Sequence, residues 1–149
     1  MYSEPEKESE KTSRDLRTVY TEIVIDHAQH PRNLGQIPNA DGSASVTGSC
    51  GDTMEICIRV RNDKILNSTF FTDGCATTIA AGSMVTELAK GKNVSDAFKI
   101  TQQDVLNALG GLPEESQHCA LLASDTLRAA IRDYLAFKNQ PWKRAYRAH

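Results

Sequence analysis

The chain has no apolar run near the ~20 residues that a membrane-spanning helix needs. Its opening residues contain no apolar stretch of the kind a secretory leader carries. It also lacks an excess of basic charge. The 17 Lys and Arg against 19 Asp and Glu leave a net charge of −2, which argues against a nucleic-acid surface. Cysteine is scarce, at four in 149 residues, and no two form a CxxC pair. The expectation is a cytoplasmic protein with no membrane or nucleic-acid partner. In that compartment the cysteines serve as thiols, metal ligands or redox groups rather than structural disulfides. No internal repeat or linker divides the chain, so its length predicts one domain.

What is present is patterned. Residues 1–14 are charged and almost free of apolar groups, which predicts a disordered tail. Residues 139–149 hold Pro141, Trp142, Tyr146 and several basic groups, a basic aromatic extension beyond a domain at 15–138. Leu16, Val19, Tyr20, Ile23 and His27 recur at helical spacing, predicting a helix from Asp15 to Gln29. His27 on its apolar side reads as a packed or capping residue rather than a ligand, and His30 as turn. From Thr53 the chain alternates, with Met54, Ile56, Ile58 and Val60 on one face. Glu55, Cys57, Arg59 and Arg61 fall on the other, so Cys57 reads as incidental on a polar face. "ILNSTFFT" at 65–72 predicts a second strand and "ASVT" at 44–47 a third. Matching the apolar faces calls for a three-residue loop at 62–64, with Arg61 opposite Ile65 and Leu66 beside Phe70 on the core side. Continued outward, that ladder sets Cys50 opposite Ala76, so Cys50, Asp52 and Cys75 reach one end of the sheet.

Cys75 follows Asp73-Gly74 and opens a helix of small residues that Gly91 closes. Unpaired amides at such a helix start favour thiolate. Thr101 and Asp104 form a capping-box pattern ahead of a helix ended by Gly110-Gly111. A last long helix carries Ala123, Leu127, Ala130, Ile131 and Tyr134 as its apolar stripe, with His118 and Cys119 in its first turn. Adjacent side chains on a regular helix point apart, so both can reach one ion only where the helix is beginning. Cys50, Cys75 and Cys119 are therefore soft candidate ligands, with Asp52 or His118 as a harder fourth. Three sulfurs and one oxygen or nitrogen suit Zn²⁺ or the iron of a cluster. A carboxylate in place of a fourth thiolate should loosen the hold on a cluster.

Four stretches carry a resemblance: "YTEIVIDHAQHPRNLG" at 20–35, "SCGD" at 49–52, "DGCATTIAAGSMVTELAKGK" at 73–92 and "HCALLASDTLRAAIRDY" at 118–134. In this order they resemble the iron–sulfur cluster scaffold proteins of the IscU/NifU N-terminal type. The resemblance implies an α+β domain, a three-stranded antiparallel sheet with helices packed across it. It implies a scaffold rather than an enzyme, building a transient [2Fe–2S] cluster and holding Zn²⁺ or Fe²⁺ in the cluster-free state. Sulfur would come as persulfide from a cysteine desulfurase, and the cluster would pass to carrier or recipient apoproteins. Cys50, Cys75 and Cys119 match the family cysteines, Asp52 and His118 the exchanging fourth ligand, and Cys119 the sulfur acceptor. Lys92 matches a family lysine near the site, although it reads equally as a solvated residue past a helix end. Glu114-Glu115-Ser116 replaces the family's Pro-Val-Lys after Leu112-Pro113, which speaks against an Hsp70-type chaperone partner. The related SufU type, a zinc-dependent sulfurtransferase relaying persulfide, is the alternative. It usually has an insertion between the second and third cysteines and no His before the third, and this chain departs from both features. A zinc-stabilised interaction module is the remaining alternative.

Overall fold

The computed structural model describes residues 19–140 and 142. Helix α1 (Glu22–Gln29) leads to strands β1 (Gly42–Thr47), β2 (Thr53–Arg61) and β3 (Lys64–Thr72). Then come α2 (Ala76–Ala89), the short α3 (Val94–Phe98), α4 (Gln102–Leu109), a 3₁₀ turn at Glu114–Ser116 and the long α5 (Gln117–Phe137). The sheet is antiparallel in the order β1-β2-β3. One face carries Met54, Ile56, Ile58, Ile65 and Phe70, all fully buried beneath α2 and α5. This is the expected α+β architecture. Among the described residues no helix is long and apolar enough to cross a membrane.

Two close approaches set how the helices lie. A Cβ on Gly82 of α2 would sit 2.5 Å from the Phe70 ring. A Cβ on Gly42 of β1 would sit 2.4 Å from the Ala130 carbonyl of α5. Gly48, at the other end of β1, faces Leu122 near the start of α5. Helix α5 therefore runs antiparallel to β1, and its first turn arrives where β1 ends. Helix α2 likewise folds back along β3, with Ser68 donating to the Thr86 carbonyl at 2.7 Å.

The hairpin differs from expectation at its turn and agrees beyond it. Arg61 pairs with Lys64 across the two-residue turn Asn62-Asp63, whose φ values are 53° and 61°. Both central residues lie in the left-handed region, as a turn matched to strand twist requires. The register then shifts between Arg59 and Val60, leaving Leu66 as the extra residue. From Arg59 opposite Asn67 to Met54 opposite Thr72 the ladder follows the expected count. The bulge gives the core position to Ile65 and turns Leu66 outward, 56 % exposed.

Three further expectations are corrected. Cys57 is not on a solvated polar face but is 6 % exposed. The segment after α1 crosses that face of the sheet: Gln36 donates to Glu55, and Arg59 to the carbonyls of Pro38 and Asn39. The expected helix is interrupted: Val19 is helical, Tyr20 and Thr21 are not, and α1 begins at Glu22 with the Thr21 hydroxyl accepting from the Val24 amide. Val24 and His27 face inward, whereas Val19 and Ile23 are exposed; residues 15–18 of that expected helix lie outside the described residues. Lys92 lies beyond the far end of the 14-residue α2, about 20 Å from Cys75 at 1.5 Å per residue, and so is not a neighbour of the cysteines. The 1–14 tail and most of the 139–149 extension also fall outside the described residues.

Candidate functional site

Three chain returns deliver the site. The β1–β2 connection turns on Gly51, at φ 90°, with Gly48 N–H donating to the Asp52 carbonyl at 2.8 Å. Cys50 is exposed at its tip. At the end of β3, Asp73 accepts from the Thr53 amide at 2.9 Å and ties the two connections together. Cys75 then caps α2 from an extended conformation and is exposed. Cys119 enters on the first turn of α5 and is 1 % exposed. An apolar groove lined by Tyr20, Val24, Ile25 and Ala28 opens beside Cys75.

Two threonines on the first turn of α2 join these groups. The Thr77 hydroxyl is 3.1 Å from Cys75 Sγ and 3.4 Å from Cys119 Sγ. The Thr78 hydroxyl donates to Asp52 Oδ2 at 2.8 Å and lies 3.4 Å from Cys119 Sγ. His118 Nε2 is 3.7 Å from Cys119 Sγ, so the two neighbours do converge at the helix start. Among the described residues, however, no three His, Cys, Asp or Glu side chains stand in a preformed metal cage. Threonine oxygens occupy the space between the sulfurs.

The same contacts set the thiols apart electrically. Partial burial pushes the Cys75 thiol up, but hydrogen bonds from the Thr77 hydroxyl and the amides of Thr78 and Thr77 outweigh it and leave its pKa lowered. These are the free N–H groups of the first helical turn. Burial pushes the Cys119 thiol above the ordinary thiol range, and the neighbouring Cys75 and Cys50 charges add to that. Cys75 is the open thiol with the lowered pKa and Cys119 the closed one with the raised pKa. His27 stands apart from them. It is 9 % exposed, hydrogen-bonded to the Ser83 hydroxyl at 2.6 Å, with its pKa lowered by burial, a packed histidine as expected.

Sequence reasoning missed Thr77 and Thr78. The available signal was two hydroxyls two and three residues after a thiol, in the first turn of a helix, where their carbonyl partners four residues back are not yet helical. Elsewhere in the molecule Thr86 and Thr126 bond those carbonyls, Gly82 and Leu122, in the ordinary helical way.

This α+β domain brings Cys75, Cys119 and Asp52 to two shared threonine hydroxyls, with His118 beside Cys119 and Cys50 exposed on the β1–β2 connection, a set of donors that could hold a soft metal or sulfur. The chain belongs to the NifU-like N-terminal domain family, whose model matches residues 19–141. It is 50% identical over 117 residues to the iron–sulfur cluster assembly scaffold protein IscU 1 of Archaeoglobus fulgidus, covering 78% of this chain and 76% of that one. It is 42% identical over 120 residues to the iron–sulfur cluster assembly scaffold protein IscU of Escherichia coli K12, covering 77% and 93%. The crystal structure of a NifU-like protein (N-terminal) from Brucella abortus shares the fold. Its TM-score is 0.64 at 19% identity, over 81% of this chain and 97% of that one.

Proposed function

We propose that the chain is an iron–sulfur cluster assembly scaffold whose cargo is assembled on Cys50, Cys75 and Cys119, with Asp52 or His118 completing the set. The observation that carries this reading is the shared hydroxyl pair, which gathers Cys75, Cys119 and Asp52 from three chain segments. The donors fit the cargo: soft thiolates match iron and sulfide, and one oxygen or nitrogen keeps the hold loose. The same donors fit Zn²⁺ or Fe²⁺ in the cluster-free protein.

Sulfur arrives on a desulfurase cysteine as persulfide. A thiolate of this chain attacks the outer sulfur, the donor's S–S bond breaks, and the donor cysteine leaves as thiolate. The persulfide then resides on this chain, with Cys119 as the acceptor. Since Cys119 is 1 % exposed, the start of α5 must yield before transfer. Iron and an external electron donor reduce the sulfur to sulfide as the cluster forms, and the finished cluster leaves for a recipient apoprotein. Glu114 and Glu115 are exposed on the 3₁₀ turn that leads into α5, and this acidic surface argues against an Hsp70-type chaperone docking there.

Anaerobic incubation with ferrous iron, cysteine, a reductant and a cysteine desulfurase tests the reading. Visible sulfide-to-iron absorbance that depends on all three cysteines is expected. Stimulation of desulfurase turnover by the zinc-loaded protein, with no such absorbance, would replace the scaffold by a persulfide relay.

A further inference from the structure

Thr78 is fully buried, and its hydroxyl points at the site rather than at its own helix. A hydroxyl has one proton to give, and here it goes to Asp52 Oδ2. Towards Cys119 Sγ the same oxygen offers a lone pair, and Thr77 flanks that sulfur at the same 3.4 Å distance. The arrangement is built into the local fold. A Cβ on Gly74 would stand 2.7 Å from Asp52 Oδ2 and 2.7 Å from Thr78 Cβ, so only glycine there lets the carboxylate and the threonine meet.

The consequence follows from the number of places Asp52 and Cys119 can occupy at once. While Asp52 is held by Thr78, its Oδ2 is turned inward to a protein hydroxyl, and Cys119 is packed behind the two threonines. Cys119 is then not presented to an incoming ion or sulfur donor, and half-buried Asp52 has one of its two oxygens already engaged. We infer that Thr78, assisted by Thr77, is a positioning residue: a hydroxyl latch that keeps Asp52 and Cys119 in a closed arrangement which loading must open. This rests on the reading of Asp52 and Cys119 as site groups, and it adds the step that precedes their use.

The test compares Thr78→Val, which keeps shape and removes the hydroxyl, with Thr78→Ser, which keeps the hydroxyl. Iodoacetamide labelling of the metal-free full chain is followed peptide by peptide by mass spectrometry. Buried Cys57 serves as an internal gauge of general loosening. Losing a hydrogen bond to a charged group predicts about tenfold faster labelling of Cys119 in Thr78→Val. Cys57 should be unchanged, and Thr78→Ser should label at the native rate. Growth of the thiolate-to-cobalt absorbance on adding Co²⁺ should accelerate in the same variant and recover in Thr78→Ser. If Thr78→Val folds poorly, Thr78→Ala is used in its place, with the same expectation. An unchanged Cys119 rate overturns the latch, as does acceleration shared equally with Cys57. Should the latch variants behave as expected while the native protein builds no visible cluster, the scaffold reading falls and the latch stands.

Discussion

The two ends of α2 are held by different means. Beyond its C-terminus the backbone stitches it to the β2–β3 hairpin: Gly91 N–H donates to the Ile65 carbonyl, Ile65 N–H to Lys92, and Val94 N–H to Asp63, all between 2.8 and 2.9 Å. At its N-terminus the ties are side chains, with Thr77 and Thr78 meeting Cys75, Cys119 and Asp52. A main-chain bond forms whatever the side chains are, so the hairpin end preserves register. Side-chain contacts to sulfur and carboxylate can be exchanged for an ion without breaking a single backbone bond. The same helix is anchored at one end and open to exchange at the other.

The largest effect should come from removing a thiol at the exchangeable end. Cys75→Ser should weaken Zn²⁺ binding by more than about a hundredfold, beyond what loss of an outer partner costs. Its metal-free stability should stay within about 0.5 kcal/mol of native. Competition titration and urea unfolding measure the two, and a loss in stability with unchanged affinity would erase the contrast between the ends. Next comes the packed middle of the helix. Gly82→Ala drives a methyl towards the Phe70 ring and should cost about 1–3 kcal/mol in urea unfolding, with Zn²⁺ affinity retained.

A smaller effect is expected from His27, against the middle of α2. Its pKa is lowered in the folded chain from the ordinary 6.5 by burial. The unfolded chain therefore binds more protons below that value, and stability falls as the pH drops. Native protein should lose more urea resistance between about pH 7.5 and pH 5.5 than His27→Gln does; equal slopes would remove burial as the cause. The smallest effect is at the anchored end. Lys92→Ala should alter neither metal affinity nor stability beyond about 0.5 kcal/mol, because the Lys92 contribution there is its carbonyl. A marked loss of affinity would bring that lysine back to the site.

Much of this was legible along the chain. The strand alternation from Met54 to Val60 and the parity of the hairpin sent Cys50, Asp52 and Cys75 to one end, and the ladder from Arg59 outward has that register. The capping box at Thr101 and Asp104 is present with both reciprocal bonds, and Gly91 is left-handed after α2. The bulge at Leu66 was not legible, because Ile65 and Leu66 are equally apolar and only Phe70 and the helices above choose between them. Nor was α3, whose five residues are too few for a helical period to register.

Cys57 and Cys119 mark the boundary between these two kinds of knowledge. Periodicity, capping residues and turn chemistry act over a few neighbours, so residue order settles the elements, their approximate ends and which atoms carry chemistry. Whether a thiol is covered depends on what docks over it from a distant part of the chain. The segment around Gln36–Asn39 crosses the face that carries Cys57, and α2 meets α5 over Cys119. Those contacts arise only when whole faces of matching volume pack together. That docking left Cys75 open and Cys119 shut, with one threonine hydroxyl between Cys119 and the carboxylate of Asp52.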